Sequence, residues 1–392
     1  MSKFKELLRT YSPEGVEYQE LGSLVDIFDN LRKPVARDKR EVGEYPYYGA
    51  NGIQGYVKDY LFDGTYLLMG EDGSVINPDR SPILTWVKGK FWVNNHAHVL
   101  SERPHLALLR YVYYALQLSD ISNVVRGMPP KINQANMRAI KLPVPALKVQ
   151  MEIVKILDKF TELEAELETE LDARKRQFDY FTNSIFQESK YRFDEFRLAE
   201  IANCYSGATP LTTKTEYWED GNIPWIASGE VNKGTIYSSD NFITKAGYSA
   251  SSTKMVPAGS VLIALAGQGK TRGMVARTRI EACTNQSLCA IVPNDNLNPD
   301  FLYFYMRTQY KNYRAMSSGE GGRGGLNLQL INSIKIPVPS MKHQEEIVQK
   351  LEYFETMTTN SASGISAEIN ARRQQYEYYR NKLLTFKELV IV

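Results

Sequence analysis

The stretch "IKLPVPALKVQMEIV", beginning at Ile140, returns as "IKIPVPSMKHQEEIV" beginning at Ile334. The offset is 194 residues (334 less 140), and it also relates Asn133 to Asn327, Gln150 to Gln344, Leu157 to Leu351 and Phe160 to Phe354. Farther on, "ARKRQFDYFTN" from Ala173 matches "ARRQQYEYYRN" from Ala371 at an offset of 198 (371 less 173), so the second copy has gained four residues. Four residues is close to one turn of α-helix, and such an insertion turns the downstream face only modestly. The segment after each "PVP" is therefore predicted to be helical, with the prolines stopping a preceding strand or loop.

The pattern within these helices specifies a seam. Leu167, Leu171, Arg174, Phe178, Phe181 and Ile185 in the first copy, and Ile365, Ile369, Arg372, Tyr376, Tyr379 and Leu383 in the second, are spaced 4, 3, 4, 3, 4. One such stripe alone would suit a helix packed on its own domain. Two matched stripes, with an acidic outer face in "ELEAELETELD", favour helices packed on each other. A helix from near Lys148 to near Gln187 is about 60 Å long, more than a domain diameter. In the second copy "TTNSASGIS" contains Gly364 and several poor helix formers, so a break is expected there, with Ser366 as a new N-cap.

The rest of the chain also runs twice in one order. An apolar entry ("YQELGSLVDI" from Tyr18, "FRLAEIANCY" from Phe196) precedes an aromatic-proline segment ("YPYYGANGIQGYV", "IPWIASGEVNKGTI"). An apolar strand ending in a glycine loop follows ("YLLMGEDGSVI", "LIALAGQGKTRGMV"), then an asparagine-led strand ("NNHAHVL", "TNQSLCAIV"). Short β-type runs punctuated by Gly, Asn and Pro, with helical patterns such as "HLALLRYVYYALQ" and "PDFLYFYMRTQY", predict an α+β (mixed α/β) fold. The expected plan is a globular domain with a lead-in segment over 1–145, a spacer helix over 146–190, a second domain over 191–339, and a second spacer helix with a tail over 340–392. The whole is a pseudo-two-fold internal repeat.

Composition excludes several classes. At 392 residues, 43% hydrophobic and 23% charged, the chain can bury two or three cores and is not disordered. The longest apolar runs, such as "SVLIALAG", fall far short of the ~20 residues that span a bilayer, and "MSKFKELLRTYSPEG" has no signal-peptide core, so a cytoplasmic protein without membrane contact is expected. Cys204, Cys283 and Cys289 lack CxxC spacing and read as small buried residues. Net charge is +2, unevenly placed: 15 Lys+Arg against 12 Asp+Glu over 21–145 and again over 191–339, but 7 against 10 over 146–190. Two mildly basic blocks around an acidic spacer fit two modules facing a polyanion.

With these segments in order and in duplicate, the sequence resembles the specificity (S) subunit of type I restriction-modification enzymes. The resemblance rests on "YPYYGANGIQGYV", "NNHAHVL", "AGQGKTRG", "TNQSL", the two "IKxPVP" blocks and the helices after them, and spans nearly the whole chain. It implies two target-recognition domains, each reading half of a bipartite site in double-stranded DNA, joined by two helices in an antiparallel coiled coil. In that family the helices set the half-site separation and bind two methyltransferase (M) subunits, and restriction/translocase (R) subunits complete the assembly. A 50–60 Å spacer reaches about one and a half turns of B-DNA at ~34 Å per turn. The candidate partner-binding residues are Gln150, Leu167, Leu171, Arg174, Phe178, Phe181, Gln344, Ile369, Arg372, Tyr376 and Tyr379.

The candidate DNA-binding residues lie in the loops. "MGEDGS" offers Glu71, Asp72 and Ser74, and "AGQGKTRG" offers Gln268, Lys270, Thr271 and Arg272. Carboxylates can accept from cytosine, glutamine can read adenine, and arginine or lysine can read guanine, while solvated acids and phosphate-only cations are the plainer alternative. Asn51 and Gln54 of "GANGIQG" are readers or turn formers. His96 and His98 at i, i+2 would share a strand face as metal ligands do, but no cysteine or carboxylate cluster accompanies them in the sequence. A metal is not expected, and His96 or Asn95 is taken as a DNA contact or a buried hydrogen-bonding group, with Gln286 and Leu288 at the matching places of the second half and Asn285 beside them. Arg126 and Asn133 in the first half, and Arg323 and Asn327 in "SSGEGGRGGLNLQ", complete the set.

No catalytic residues are expected. The only Pro-Pro is in "GMPPKI", with no methyltransferase amine-binding motif and no nuclease-like cluster. The chain itself needs no cofactor, and the resemblance places S-adenosylmethionine, ATP and Mg in partner subunits. A competing reading is a P-loop-like NTPase using "ALAGQGKT" at 264–271, although Ala264 stands where GxxxxGK[ST] has its first glycine. Another is a coiled-coil scaffold without DNA binding.

Overall fold

The computed structural model describes residues 2–190, 193–267, 271–317, 325–359 and 364–389. They fall into two compact units, residues 1–167 with 369–392, and residues 168–368.

In the first unit, β-branched and aromatic runs form β1 (Val25–Ile27), β2 (Tyr45–Gly49), β3 (Gly52–Val57), β4 (Phe62–Gly70), β5 (Leu84–Val93) and β6 (Ala97–Glu102). They make one sheet in the order β1-β6-β4-β5-β2-β3, in which only β2 and β5 run parallel. Successive side chains of a strand face opposite ways, and both faces are used. Leu67 and Met69 point into a core with helix α1 (Leu109–Leu116) and with Val149, Ile153 and Leu157 beyond "LPVP". Phe62 and Leu68 point into a second core with Phe91, Val93 and Val99. Helix α2 (Gln134–Arg138) closes the globular part.

The second unit repeats this plan with β7 (Ala202–Ser206), β8 (Ile223–Ile226), β9 (Thr235–Ile236), β10 (Phe242–Ile243), β11 (Val261–Ala264), β12 (Val275–Thr278), β13 (Cys283–Thr284) and β14 (Leu288–Pro293). The order is β7-β14-β11-β12-β9, with a small sheet β10-β8-β13. The continuous strand β5 of the first unit corresponds to β12 and β13, so here one strand is divided between two sheets. Val261 and Ile263 pack with helix α4 (Pro299–Thr308), while Leu262 and Ala264 face a separate core. Cys283 and Cys289 are buried as expected, whereas Cys204 is half-buried.

Each "IKxPVP" block folds the same way. Lys141–Pro143 pairs antiparallel with Tyr18–Glu20, and Lys335–Pro337 with Glu195–Arg197. A helix then begins: α3 (Leu147–Lys190) in the first copy and α6 (Met341–Thr359), followed by α7 (Ile365–Leu384), in the second. The expected break is thus present. Gly364 takes φ +87, and a Cβ there would lie 2.9 Å from the Met357 carbonyl oxygen. The cap differs from expectation: the Gly364 carbonyl accepts from Glu368 N at 3.1 Å, so the helix starts at Ile365 and Ser366 lies inside its first turn.

Helices α3 and α7 pair antiparallel, and α3 also packs on α6. In the first unit Phe160 stacks on Tyr379 at 5.3 Å, and one turn on, Glu164 meets Arg373 at 2.6 Å, partner numbers falling as α3 advances. In the second unit Phe181 packs on Phe354 of α6 at 5.0 Å, while Phe178 packs on Phe304 of the domain helix α4 at 6.3 Å.

The repeated glutamine has a specific duty. Gln150 is fully buried; its amide oxygen accepts from Leu108 N at 3.0 Å and its amide nitrogen donates to the Pro145 carbonyl at 2.8 Å. Gln344 does the same with Asn298 N at 2.7 Å and the Pro339 carbonyl at 2.9 Å. Each side chain ties the start of a long helix to the start of the domain helix beside it, and satisfies a backbone N–H that helix geometry leaves open. Neither amide has a face to offer another subunit, which corrects their place among the partner-binding residues. Gln150→Leu and Gln344→Leu keep the volume but strand these backbone groups, and each is expected to lower the unfolding free energy of its own unit by about 1–3 kcal/mol. Unchanged urea midpoints in both variants would show that the latch carries no stability.

Candidate nucleic-acid interface

One edge of the first unit gathers most of the loop residues singled out in the sequence. The two-residue turn Ala50-Asn51 joins β2 to β3 between the paired Gly49 and Gly52, and exposes Asn51 at its tip. Gln54 lies across Gly49, where a Cβ would be 2.1 Å from its amide nitrogen, and its oxygen accepts from Asn94 Nδ2 at 3.3 Å. The Asn94 carboxamide oxygen accepts from His96 N at 2.9 Å, which turns the chain sharply before β6. The His96 carbonyl accepts from Glu71 N at 2.8 Å, and its ring Nδ1 meets Asp72 Oδ1. The loop from Arg126 to Lys131 is closed by reciprocal backbone hydrogen bonds of 2.8 and 2.7 Å, and Gly73 N donates to its Pro130 carbonyl at 2.9 Å. Asn51, Gln54, Asp72, Ser74, Asn95, His96 and Arg126 therefore sit on one set of linked turns.

Beneath this edge lies an ionic cluster. Glu71 pairs with Arg32 at 2.6 Å and with Lys131 at 3.3 Å, so it braces the loop instead of facing outward as a reader. His98 is fully buried, with Nδ1 2.7 Å from Asp29 Oδ2 and Nε2 3.0 Å from the Ile132 carbonyl. Both partners only accept, so each ring nitrogen faces an acceptor. Burial would raise the Asp29 carboxyl, but its bonds to His98, Val99 N and Gln134 outweigh this and hold it below the usual carboxylate value. Asp29, Glu71 and His98 have the spacing of a metal site, yet the Arg32 guanidinium lies against both carboxylates. The proposed i, i+2 face of His96 and His98 does not exist, because β6 starts at Ala97 and His96 belongs to the turn.

The second unit has the same backbone with other chemistry. Leu265 N donates to the Ser287 carbonyl at 2.8 Å and Leu326 N to the Leu265 carbonyl at 3.0 Å, as Glu71 N does to His96 and Ile132 N to Glu71. The pairing of Ala264 with Leu288, matching that of Gly70 with Ala97, fixes the register. Structural counterparts are thus Glu71 with Leu265, Asp72 with Ala266, His96 with Ser287 and His98 with Cys289. The alignment of His96 and His98 with Gln286 and Leu288, read from the sequence, is one residue out. Where the first unit has its ionic cluster, the described residues of the second line a recess without charged side chains, among them Ser206, Leu265, Ala266, Gln286, Asn327 and Gln329. The Gln286 oxygen accepts from Thr209 Oγ1, and Asn285 makes the turn that Asn94 makes in the first unit, accepting from Ser287 N at 3.1 Å. Thr271 packs against Gly267 and Arg272 is half-buried, while Gln268, Lys270 and Arg323 lie outside the described residues.

Three expectations change on this geometry. Asn133 and Asn327 are N-caps of α2 and of helix α5 (Leu328–Ser333), their side-chain oxygens accepting from Asn136 N at 2.8 Å and Leu330 N at 2.9 Å. Ala264 is the last residue of β11, and Gly273 N returns to its carbonyl at 2.8 Å before β12 begins. A phosphate-binding loop needs a helix there, so the NTPase reading fails. Sequence reasoning also passed over "RKPVARDKR" at 32–40, whose Lys33, Arg37 and Lys39 are exposed beside the first edge, with Lys33 N on the Val93 carbonyl at 3.2 Å. Its local charge density was the available signal: five cations in nine residues.

On the helices, Leu167 and Leu171 are half-buried and Phe178 and Ile369 buried. Tyr376 donates to Gln117 at 2.8 Å, Arg174 pairs with Glu170 at 2.8 Å, and Arg372 contacts Gln375 at 3.3 Å. Exposed apolar side chains on these helices include Tyr180, Tyr353, Met357 and Tyr378. Among the described residues no helix is long and apolar enough to cross a membrane.

The family model for the type I restriction modification DNA specificity domain matches twice, over residues 13–174 and 191–371. A type I restriction enzyme specificity subunit from Escherichia coli is 33% identical over 323 residues, 80% of each chain. A putative specificity subunit of the same kind from Haemophilus influenzae is 31% identical over 388 residues, 95% of this chain and 96% of its own. The crystal structure of a type I restriction-modification S subunit from M. genitalium shares the fold at TM-score 0.57 and 17% identity, covering 94% of this chain and 96% of that one.

Proposed function

From the premise that this chain belongs to the type I restriction-modification DNA specificity family, we propose that each unit reads one half of a gapped, asymmetric site in double-stranded DNA. The observation that carries this reading is that two units of one backbone plan present different side chains at equivalent turns. A cationic and acidic edge stands in the first, and in the second a recess whose described lining is amide-rich and without charged side chains. Different hydrogen-bonding patterns on similar frames read different base edges. In the first unit Asn51, Gln54, Ser74, Asn95, His96 and Arg126 are the proposed contacts, with Lys33, Arg37 and Lys39 on phosphates. In the second they are Gln268, Lys270, Thr271, Arg272, Gln286 and Arg323, with Asn285 shaping the turn.

The chain is a non-catalytic subunit that supplies sequence recognition to a larger enzyme. The helices set the spacing of the half-sites and dock two methyltransferase subunits, using exposed side chains such as Tyr180, Tyr353 and Tyr378. S-adenosylmethionine serves the methyltransferase subunits, ATP and Mg the translocating restriction subunits, and the assembly works in the cytoplasm. Single-molecule methylation sequencing of the host tests this. A two-part adenine-methylated motif with an unspecified gap is expected, and it disappears when the gene for this chain is deleted. A motif without a gap, or one that survives deletion, would refute the reading.

A further inference from the structure

The turn between Arg126 and Lys131 carries an apolar tip on the first unit's edge. Arg126 N donates to the Lys131 carbonyl at 2.8 Å and Lys131 N returns to the Arg126 carbonyl at 2.7 Å, closing a hairpin turn on Gly127, Met128, Pro129 and Pro130. Gly127 takes φ +84, which other residues rarely adopt, and the prolines restrict the backbone after it. The turn is braced from below: Gly73 N donates to the Pro130 carbonyl at 2.9 Å, and the Lys131 ammonium pairs with Glu71 at 3.3 Å, which Arg32 clamps at 2.6 Å. Met128 is nevertheless 100% exposed, more than any other large apolar side chain among the described residues. An unbranched thioether held in water on a braced turn gains by burial, and little further order is lost when it binds. The surrounding charge indicates against what: Arg126 is exposed at the foot of the turn, and Lys33, Arg37 and Lys39 are exposed beside the same edge, so the tip approaches a polyanion. In the grooves of double-stranded DNA the apolar surface open to such a side chain is chiefly that of the bases, as thymine methyl groups or as the faces of a parted base step.

Resting on the DNA-reading function above, we propose that Met128 is a base-contacting residue of the first unit, burying its side chain on the apolar surface of bases in that half-site. The contact adds to specific binding and takes no part in holding phosphate. At the offset of 194 that relates the two halves, Gly322 stands opposite Met128 in the sequence, so this device belongs to one half-site only.

The test uses the complete chain assembled with its methyltransferase subunits and a duplex bearing the methylated motif. Met128→Ala is expected to bind that duplex about tenfold more weakly, with wild-type affinity for a duplex lacking the motif and a wild-type salt dependence, whereas loss of a phosphate contact lowers both. Met128→Leu, which keeps an apolar tip, should lose less. Two scans of the first half-site then locate the contact. Each thymine is replaced in turn by uracil, which lacks the methyl group. Each adenine other than the methylated one is replaced by 2-aminopurine and each cytosine by pyrrolocytosine, whose fluorescence rises where stacking is lost. At least one position should respond in wild type, by weaker binding or by brighter emission, and lose that response in Met128→Ala. Wild-type affinity for the motif in Met128→Ala, or responses that match wild type at every position, would overturn the proposal while leaving DNA reading intact. A wild-type assembly with no sequence preference overturns both.

Discussion

Replacing Arg277 by methionine is expected to lower the unfolding free energy of the second unit by about 3–5 kcal/mol, the largest stability loss we predict for a single side chain. Arg277 points from β12 into a nearly closed site, its side chain 6% exposed. Its guanidinium pairs with Asp300 at 2.8 Å, Glu355 at 2.7 Å and Glu352 at 3.2 Å, and its Nε donates to Thr235 at 2.9 Å. The cation also lies over the Tyr303 ring at 4.7 Å. Glu352 and Glu355 belong to α6, so one residue fastens the recognition sheet to the spacer helix. Methionine fills the volume but takes from the partly buried Asp300 and Glu355 carboxylates the cation they share, although Arg279 still pairs with Asp300 and Arg307 with Glu355. Arg277→Lys should recover part of the loss, because an ammonium cannot satisfy three carboxylates with the planar fork of arginine. Hydrogen exchange across residues 193–317 measures it: protection should fall throughout this unit in Arg277→Met and remain in residues 25–116. Unchanged protection would mean that the network is neutral.

The first unit makes the same attachment with the charges rearranged. Trp86 occupies the strand position of Arg277, and the cation comes instead from Arg110 on α1, 4.8 Å over the Trp86 ring and 2.7 Å from Asp158 of α3. Tyr114 donates to the same Asp158 carboxylate. Two solutions to one docking problem explain why neither network was legible in the sequence: the cation moved from strand to helix, so no residue-by-residue match survived. What was legible had a repeat or a period behind it. The doubled "PVPxxxxQ" and the heptad spacing gave the helices, their pairing and the break at Gly364, because backbone geometry ties those features to fixed spacings.

The candidate site was legible to a lesser degree. Glycine and asparagine marked the turns, and the structure puts those of the first unit on one edge. Which side chains face outward was not encoded locally. Glu71 is taken up by Arg32, 39 residues earlier, and the Asn133 and Asn327 side chains are taken up by helix N-termini. The one-residue slip between His96 and its counterpart arose because "NNHAHVL" has two asparagines, Asn94 and Asn95, against the one in "TNQSL", and only the strand register decides which of the two matches Asn285.

Exchange of one half has the largest expected effect on function. When residues 191–339 are replaced by the corresponding block of another family member with a different motif, the side chains lining the second recess change. The first unit's edge and both spacer helices keep their sequence. Base contacts specify and phosphate contacts only position, so one half of the recognised site should be rewritten completely while the other half keeps its sequence. Methylation sequencing of cells carrying the hybrid chain with its methyltransferase subunits is the most direct measurement of this modular reading. The account predicts a new gapped motif that shares one half with the parent; a motif changed in both halves, or in neither, would contradict it.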